Sequence, residues 1–263
     1  MTAFVAPMRS PTESPQSASH AEPRTAVVSG GSRGLGALLV RRLLAGGWQV
    51  ATFSRKAAGL PRDGSGNDWD ERFFWQQADL SSTASLRDFV AAVAQRFGHI
   101  DLLVNNAGLL AEGLLATVSE KTVQALIAAN LVGPIILTQA CAKVMMRRKR
   151  GAIINVSSIN SVRGHPGVSI YTASKAGLDG FTRSMARELG PLNIRVNSVV
   201  PGFFATDLVA SLTPERRDRI ARRTPLKRLS DIHEVADAVM FLASEGSSFI
   251  TGQTIIVDGG YTC

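Results

Sequence analysis

The chain is poor in the residues that cross-link a small domain or hold a metal ion. Its 263 residues include two cysteines, Cys141 and Cys263, and four histidines scattered along the sequence. Two isolated thiols provide no disulfide framework, and no group of cysteines and histidines has the spacing of a zinc site. We therefore interpret both cysteines as free thiols, expect no bound metal and predict a reducing, cytoplasmic location.

Long apolar runs and clustered aromatic residues are also scarce. We find no apolar run near the roughly 18 residues that a membrane-spanning helix needs, so we predict no membrane span. Aromatic residues make up 6% of the chain and do not interleave with its basic clusters. That composition argues against stacking on bases and predicts no nucleic-acid partner. The sequence shows no internal repeat and no second domain.

Positive charge, by contrast, is in excess, with a formal net charge of +8. One basic cluster, Arg147–Arg150, ends a predicted helix. A second lies on a later predicted helix and comprises Arg216, Arg217, Arg219, Arg222 and Arg223. Such charges suit anionic partners such as dinucleotide phosphates, an acidic carrier protein or nucleic acid. The alternative is a favourable helix C-terminus for the first cluster and a solvated face for the second.

The pattern of apolar residues predicts one folded domain after a short tail. Residues 1–23 are rich in proline, serine and alanine without an apolar period, so we expect a disordered tail. Over residues 24–263, short apolar runs alternate with helical periods, which predicts parallel strands and right-handed crossovers. The expected fold is α/β: a doubly wound, Rossmann-type sheet of seven mainly parallel strands with helices on both faces.

The predicted strands bring small and polar residues to one edge of that sheet. Strands are predicted at residues 25–29, 49–53, 73–77, 102–105, 152–157, 195–200 and 254–257. Helices are predicted at residues 35–45, 83–97, 120–130, 131–146, 171–189 and 232–243. Gly30, Asn106, Ser158 and Pro201 each follow a strand directly. Because the carboxyl ends of parallel strands share one edge, we expect these four residues to line a single cleft.

Tyr171 and Lys175 form the pair with the most evident chemistry. Four residues apart on a helix, their side chains lie one turn apart on the same face. A free tyrosine has a pKa of about 10, and a nearby ammonium favours the phenolate and lowers that pKa. The pair is therefore suited to moving a proton to or from a substrate oxygen, although two surface residues of a helix would show the same spacing.

Gly30, Gly34 and Gly36 follow the first strand and open a helix. Without a Cβ the backbone turns tightly and approaches a pyrophosphate closely, while the helix N-terminus offers amide donors. The spacing is Gly-x-x-x-Gly-x-Gly, which differs from the Gly-x-Gly-x-x-Gly of other dinucleotide folds. In this strand-turn-helix setting the motif predicts a dinucleotide site.

Taken together, these motifs resemble the short-chain dehydrogenase/reductase family. They occur in the same order, with Asn105-Asn106-Ala107-Gly108 after the fourth strand and Asn130 and Ser158 ahead of Tyr171. The resemblance runs from about residue 24 to the C-terminus and is strongest to the branch of 3-oxoacyl-[acyl-carrier-protein] reductases and carbonyl reductases. One departure is Ser29, where the family usually has threonine; because the hydroxyl is kept, we expect a mild effect.

The resemblance implies a catalytic set. Tyr171 would be the general acid/base, and Lys175 would tune it and hold the nicotinamide ribose. Ser158 would polarise the substrate carbonyl, and Asn130 would support a water that relays protons to Lys175. Ser157 is a rival for Ser158, but the thirteen-residue spacing to Tyr171 favours Ser158.

The resemblance also implies where a dinucleotide binds. Asp79 would contact the adenine, although it could equally cap the next helix, and Thr206 would lie near the carboxamide. The complete predicted cofactor set is Gly30, Ser32, Arg33, Gly34, Leu35, Gly36, Ser54, Arg55, Asp79, Leu80, Asn106, Ala107, Gly108, Tyr171, Lys175, Pro201, Gly202, Phe204 and Thr206.

Charge at the end of the second strand predicts which nicotinamide cofactor is used. A carboxylate there would bind the adenosine ribose and repel a 2′-phosphate. The strand instead ends in Ser54-Arg55-Lys56, and Arg33 adds a guanidinium from the glycine turn. Arginine binds phosphate oxygens in pairs, so we predict NADP(H). Ordinary loop charges at Arg55 and Lys56 are the alternative.

The substrate is less specified by the sequence. Apolar residues between Phe203 and about Lys227, where a lid over the pocket is expected, favour an aliphatic or acyl group. We expect NADPH-dependent reduction of a ketone to a secondary alcohol, with a 3-oxoacyl thioester on acyl carrier protein or coenzyme A as substrate. Free ketones, polyketides, sugars and secondary alcohols are alternatives, as is a non-catalytic regulatory protein. The resemblance also implies a homotetramer that pairs the helices at 131–146 and 171–189.

Overall fold

All seven strands of the described chain lie parallel in a single sheet. The computed structural model describes residues 22–56, 71–204 and 213–263. The strands are β1 Thr25–Ser29, β2 Gln49–Ser54, β3 Phe73–Gln77, β4 Leu102–Asn105, β5 Gly151–Val156, β6 Ile194–Pro201 and β7 Thr254–Val257. Their order is β3-β2-β1-β4-β5-β6-β7. The predicted fold is confirmed, and the strand order reverses between β1 and β4, where doubly wound sheets bind ligands.

Helices cover the sheet on both faces. They are α1 Gly34–Ala45, α2 Thr83–Phe97, α3 Glu120–Ile127, α4 Gly133–Arg148, α5 Ser169–Leu189, α6 Pro214–Arg223 and α7 Ile232–Ala243. Alternation along the strands separates two apolar cores. Ala26 and Val28 belong to the core under α1 and α7. Val27, between them, belongs to the core under α2, α4 and α5. Burial on both faces explains why these strands are apolar throughout.

The element boundaries agree closely with the sequence-based predictions. Each predicted strand is found within one residue at either end, and the helices are within two residues except at one place. The helix predicted to run to residue 130 ends at Ile127 and continues as a π-helical turn, Ala128–Val132, in which the Gly133 N–H reaches back to the Ala128 carbonyl. Hydrophobic periodicity does not reveal such a one-residue bulge, and bulges of this kind recur at functional sites.

The sequence contains no continuous apolar run of membrane-span length, but one described helical stretch has the length and the average composition of a membrane span. The helical stretch Glu120–Arg148 is long and apolar enough by composition, with a mean hydropathy of 1.7 over its best window. Its contacts explain that composition: half of the window is buried inside the domain, and Leu137 and Cys141 are completely enclosed in the core under α2 and α5. The stretch therefore has the packing of a core helix.

A buried polar network fixes the register of the central strands against the helices. The Asn105 side-chain amide donates to the Thr138 hydroxyl of α4 at 2.9 Å and to the Asn155 side-chain oxygen of β5 at 2.8 Å. The Asn155 amide donates in turn to the Thr182 hydroxyl of α5 at 2.8 Å. Because unpaired polar groups are costly in a core, this network favours one alignment of β4, β5, α4 and α5.

The predicted tail meets the domain near its end. The Glu22 carboxylate accepts a hydrogen bond from Arg148 at 2.8 Å, and the Pro23 carbonyl lies 3.2 Å from the His99 ring. These two residues therefore contact the domain, whereas the prediction of disorder for residues 1–21 falls outside the described residues. The strands β1, β4, β5 and β6 all end at the carboxyl edge of the sheet.

Candidate active site

The glycine-rich turn after β1 leaves no room for side chains on its inner side. Gly30 and Gly34 have φ angles of +72° and +54°, which favour glycine. A Cβ on Gly36 would lie 2.2 Å from the Gly30 carbonyl oxygen, whereas a Cβ on Gly34 would meet nothing within 4 Å. The turn is thus closed on its inner side and open above the start of α1. Such an open helix N-terminus suits a pyrophosphate, and Ser32 and Arg33 flank it.

Ser29 ties this turn to the loop after β4. Its hydroxyl accepts the backbone N–H groups of Asn106 and Ala107, both at 2.9 Å. The Asn106 side chain donates back to the Ser29 carbonyl at 3.0 Å. A Cβ on Gly30 would lie 3.0 Å from the Ala107 Cβ. The hydroxyl that serine shares with threonine is the part of the side chain that makes these contacts.

Asn130, in the π-helical turn, anchors the same loop from the other side. Its side-chain oxygen accepts the Leu109 N–H at 2.7 Å, and its amide donates to the Leu109 carbonyl at 2.8 Å. The amide also lies 3.3 Å from the Ser174 hydroxyl of α5. Asn130 is fully buried, so its side chain is committed to positioning this loop. A hypothetical Cβ on Gly108 would be 3.0 Å from the Asn130 oxygen and 3.5 Å from the Lys175 ammonium.

Tyr171, Lys175 and Ser158 converge where β5 ends against α5. The Lys175 Nζ donates to the Val156 carbonyl at 2.8 Å and lies 5.9 Å from the centre of the Tyr171 ring. The Ser158 side chain lies close enough to the Tyr171 phenol to favour its charged form. Lys175 is 4% exposed, and burial lowers its pKa to about 8 although the Asp179 charge raises it. The four residues of the predicted catalytic set thus surround one short stretch of strand and loop.

The pKa of Tyr171 differs from the expectation that Lys175 lowers it. Burial of the phenol raises this pKa above its usual value, and the hydrogen bond with Ser158 only partly opposes that effect. The reason is geometric: the Lys175 ammonium is directed to the Val156 carbonyl, and burial disfavours charge on both groups. The phenol therefore keeps its proton near neutral pH and is a weaker acid than a free tyrosine.

Ser157 and Ser158 have different hydrogen-bond partners, which bears on the choice between them. The Ser157 hydroxyl turns toward α5, where it donates to the Asp179 carboxylate at 3.0 Å, and it is buried. Ser158, the next residue, lies beyond the end of β5 at the start of a short helical turn and is only partly buried. Among the described residues, its oxygen accepts the Asn160 N–H at 3.2 Å, and its side chain acts on the Tyr171 phenol. Ser157 thus has a structural role in this site, and the geometry favours Ser158.

A second part of the cleft lies at the ends of β2 and β3. A cavity of about 330 Å³ is lined by Arg55, Gln77, Ala78, Asp79, Ser82 and Ser85. Ser54, at the end of β2, donates to the Lys56 carbonyl at 2.7 Å and shapes the turn that presents Arg55. Arg55 is exposed, and its charge acts on Asp79. This cavity has the position expected for the adenosine end of a dinucleotide.

Asp79 lies at the predicted position, and its carboxylate also binds Ser81 in its own turn. Its carboxylate accepts the Ser81 N–H at 2.9 Å and the Ser81 hydroxyl at 2.7 Å, and these two bonds lower its pKa. The N-cap of α2 is Ser82 rather than Asp79. Leu80 packs against α4, because a Cβ on Gly133 would lie 2.4 Å from the Leu80 carbonyl. Asp79 therefore shapes the turn and borders the cavity without capping the helix.

The segment after β6 begins the far wall of the cleft. Pro201 ends β6, and a Cβ on Gly202 would lie 2.7 Å from the Asp258 Cα, which explains the glycine. Phe204 packs against the core and pairs with Ser230. Thr206, predicted to lie near the carboxamide, falls outside the described residues. Leu35, from the glycine turn, is buried in the core under α1.

An aromatic cluster that the sequence analysis did not single out lies beside this wall. The Phe203 ring is 5.4 Å from the Tyr261 ring and 6.4 Å from the His165 ring. The pKa of His165 is lowered by burial and by the charges of Arg163 and Arg223, so its ring is neutral near pH 7. The three residues are far apart in sequence, so their proximity could be predicted only from the order of the strands in the sheet.

The two basic clusters lie at opposite edges of the sheet. Arg147–Arg150 precede β5 and so lie at its amino edge, where Arg148 pairs with Glu22 at 2.8 Å. This favours the helix C-terminus interpretation for that cluster. The arginines of α6 follow the carboxyl end of β6 instead, and Ile220 of that helix packs with Val200 and Tyr261. The second cluster is therefore on the cleft side of the domain.

We predict that Ser29→Ala weakens the site while Ser29→Thr preserves it. Alanine would remove the acceptor of the Ala107 N–H, at a cost of about 1–3 kcal/mol in the free energy of unfolding. Threonine keeps the hydroxyl and should change stability by less than about 0.5 kcal/mol. Urea unfolding of both variants, with dinucleotide binding measured by calorimetry, checks this. Equal stability of Ser29→Ala and wild type would contradict the role of the Ser29 hydroxyl in joining the glycine turn to the loop after β4.

Comparisons with known proteins agree with this geometry. A family profile described as enoyl-(acyl carrier protein) reductase matches residues 30–262. The 3-oxoacyl-[acyl-carrier-protein] reductase of Thermotoga maritima is 43% identical over 69% of this chain and 74% of its own length. Reductases of the same name from Staphylococcus epidermidis and Chlamydia trachomatis are 36% and 37% identical over 90% of this chain, covering 98% and 96% of theirs.

The matched profile spans most of the chain, and two of the relatives align over 90% of it. These similarities, the parallel sheet and the converging Ser158, Tyr171 and Lys175 lead to one conclusion: this chain belongs to the short-chain dehydrogenase/reductase family and is an oxidoreductase that acts on the C=O/CH–OH couple.

Proposed function

We propose that this chain reduces the ketone of a 3-oxoacyl thioester to a secondary alcohol with NADPH. The observation that carries the proposal is the contact between the Tyr171 phenol and Ser158, with the Lys175 ammonium one helical turn away. Two hydroxyl donors beside a buried cation are what a carbonyl oxygen needs when negative charge develops on it.

The residues of the chain have separate roles in this reaction. NADPH, when bound, supplies the hydride to the carbonyl carbon. Ser158 donates a hydrogen bond to the carbonyl oxygen and polarises it. Tyr171 donates its proton to the same oxygen, so the product leaves as a neutral alcohol. Lys175 stabilises the resulting phenolate until it is reprotonated, and Asn130 fixes the loop through which a relay water would reach Lys175.

The charges at the adenosine end support NADP(H) over NAD(H). Arg55 is exposed at the mouth of the cavity after β2, and no carboxylate follows that strand in Ser54-Arg55-Lys56. Arg33 occupies the N-cap position of α1, beside the open glycine turn. A 2′-phosphate bound here would meet guanidinium donors without a competing carboxylate from β2.

We predict that Arg55→Ala lowers kcat/KM with NADPH by about tenfold or more, because a charge-assisted hydrogen bond contributes roughly 1.5–3 kcal/mol. The kcat/KM with NADH should stay within about twofold of its starting value, since NADH has no 2′-phosphate. Arg41→Ala, an equal change on the exposed side of α1, is the matched control and should affect neither cofactor. Wild-type preference for NADH would contradict the assignment.

Several observations support a 3-oxoacyl thioester as substrate. The curated relatives are named for reduction of 3-oxoacyl groups on acyl carrier protein. The basic helix α6 lies on the cleft side of the domain, where it suits an acidic carrier or the phosphates of coenzyme A. The apolar Phe203, with Val162 and Leu109 half exposed, suits an acyl chain. Reduction of a carbon–carbon double bond, named in the matched profile, would also place negative charge on an oxygen, that of the thioester carbonyl, so the enoyl thioester in the assay below is needed to distinguish the two reactions.

We predict that Tyr171→Phe abolishes turnover, by at least about a thousandfold, because it removes the proton donor. NADPH affinity should change by less than about threefold, since the ring and Lys175 remain. The assay is NADPH oxidation with acetoacetyl and longer 3-oxoacyl thioesters, an enoyl thioester, a cyclic ketone and a keto sugar. Tyr261→Phe, the other tyrosine, is the control and should retain activity. Full activity in Tyr171→Phe contradicts the mechanism, and turnover of free ketones or sugars alone contradicts the thioester substrate.

Assembly as a homotetramer in the cytoplasm is part of the same proposal. Large apolar side chains are exposed on the π-helical turn, on α4, on α7 and in and before β7, namely Val132, Met146, Phe241, Phe249 and Ile256. Their burial between copies would stabilise an oligomer. Both cysteines are free thiols, which suits a reducing compartment. We expect sedimentation equilibrium to give a tetramer, and a monomer at micromolar concentration would contradict this expectation.

A further inference from the structure

Asp179 is a buried carboxylate that the proposed reaction does not use. It lies on α5, one turn after Lys175, and is only 7% exposed. Charged groups are rarely enclosed in this way unless other groups compensate for the lost solvation. Its partners therefore indicate why the chain keeps a carboxylate at this position.

Two hydroxyls from neighbouring strands bind this carboxylate. One oxygen accepts the Ser198 hydroxyl of β6 at 2.6 Å, and the other accepts the Ser157 hydroxyl at the end of β5 at 3.0 Å. A single side chain thus joins α5 to the two strands that end at the active site. Hydrogen bonds to a charged acceptor are about twice as strong as neutral ones, so this junction is firmly held.

The junction lies directly behind the reacting groups. Ser157 precedes Ser158 in the chain and follows Val156, whose carbonyl holds the Lys175 ammonium at 2.8 Å. The Ser157 hydroxyl is also 3.3 Å from the Lys175 carbonyl. Consecutive residues of β5 and its loop are therefore bound to Lys175, to Asp179 and to Tyr171. Any slip of α5 along β5 would disturb all three contacts together.

Charge links Asp179 to Lys175 as well. The two side chains lie on one helix face at the i, i+4 spacing, and both are buried. Tyr171 is the other titratable group near Lys175. Among the described residues, the Val156 carbonyl accepts a hydrogen bond from Lys175, and the hydroxyls of Ser157 and Ser198 donate to Asp179.

We propose that Asp179 is a positioning residue: it locks the strand end that carries Ser158 against the helix that carries Tyr171 and Lys175, and its negative charge acts on the Lys175 ammonium from one helical turn away. This inference rests on the proposed function, because it presumes that these three residues react. It extends that function to a residue that touches neither substrate nor cofactor.

The pH dependence of the reaction separates this role from a purely structural one. Burial lowers the pKa of Lys175 to about 8, and Asp179 opposes that shift. Without the carboxylate, the pKa of Lys175 would be lower still, and the ammonium would be lost at a lower pH. A residue that only supported packing would reduce activity equally at every pH.

The test is the pH profile of kcat/KM for Asp179→Asn between pH 6 and 9, with NADPH and an acetoacetyl thioester. Asparagine keeps the size and can still bind both hydroxyls. We expect the alkaline decline to begin at lower pH than in wild type, with a loss of about fivefold at pH 8 and less at pH 6.5. A profile that superimposes on that of wild type overturns the inference.

Ser198→Ala is the matched control, since it removes one hydrogen bond and keeps the charge. It should lower the Tm while the profile keeps its position on the pH axis; a shift as large as that of Asp179→Asn overturns the inference. If Asp179→Asn does not fold, Ser157→Ala takes its place. We expect kcat to fall about tenfold with the KM for NADPH unchanged, and a kcat within twofold of wild type overturns the inference.

The proposed function is tested separately by wild type and Tyr171→Phe. Turnover of the thioester by wild type, lost in Tyr171→Phe, sustains the function whatever Asp179→Asn shows. A wild-type enzyme without such turnover overturns the proposed function and, with it, the role of Asp179.

Discussion

The parallel direction of all seven strands is the constraint on which the site depends. Because every strand runs the same way, the loops after β1, β4, β5 and β6 meet at one edge, although they are separated by up to about 170 residues of chain. Close approach of those loops is possible only where side chains are absent or small, as at Gly30 and Gly36. The Ser29 hydroxyl and the Asn130 amide then bind the loop after β4 from both sides.

Burial gives that edge its chemistry. Lys175 and Asp179 have opposite charges and are both enclosed where β5 and β6 meet α5. Enclosure in a medium of low dielectric strengthens each hydrogen bond and makes each unpaired charge costly. The pKa values of Lys175 and Tyr171 shift in opposite directions for this one reason, so that the lysine is less readily protonated and the phenol holds its proton more strongly. The proposed reaction would take place where β5 and β6 meet α5.

Much of this arrangement could be predicted from the sequence, because apolar periodicity and glycine spacing are local properties. The seven strands and the order of the motifs follow from these local patterns. The convergence of Asn106, Ser158, Tyr171 and Lys175 then follows from the parallel direction of the strands. The π-helical turn at Asn130 escaped prediction because one inserted residue barely alters hydrophobic periodicity. Composition alone does not distinguish a core helix from a membrane span in the apolar stretch through α3 and α4, and its burial in the domain provides that distinction. The pKa of Tyr171 depends on where the Lys175 ammonium points, and only coordinates give that direction.

The central claim is that this edge of the sheet delivers a hydride from NADPH to a carbonyl carbon while Tyr171 protonates the oxygen. It is tested most directly by reducing an acetoacetyl thioester with NADPH deuterated at C4 of the nicotinamide and analysing the product by mass spectrometry and NMR. We expect one deuterium on the new carbinol carbon and none on the hydroxyl after exchange into water. NADPH consumption without deuterium at that carbon, or no consumption at all, would contradict it.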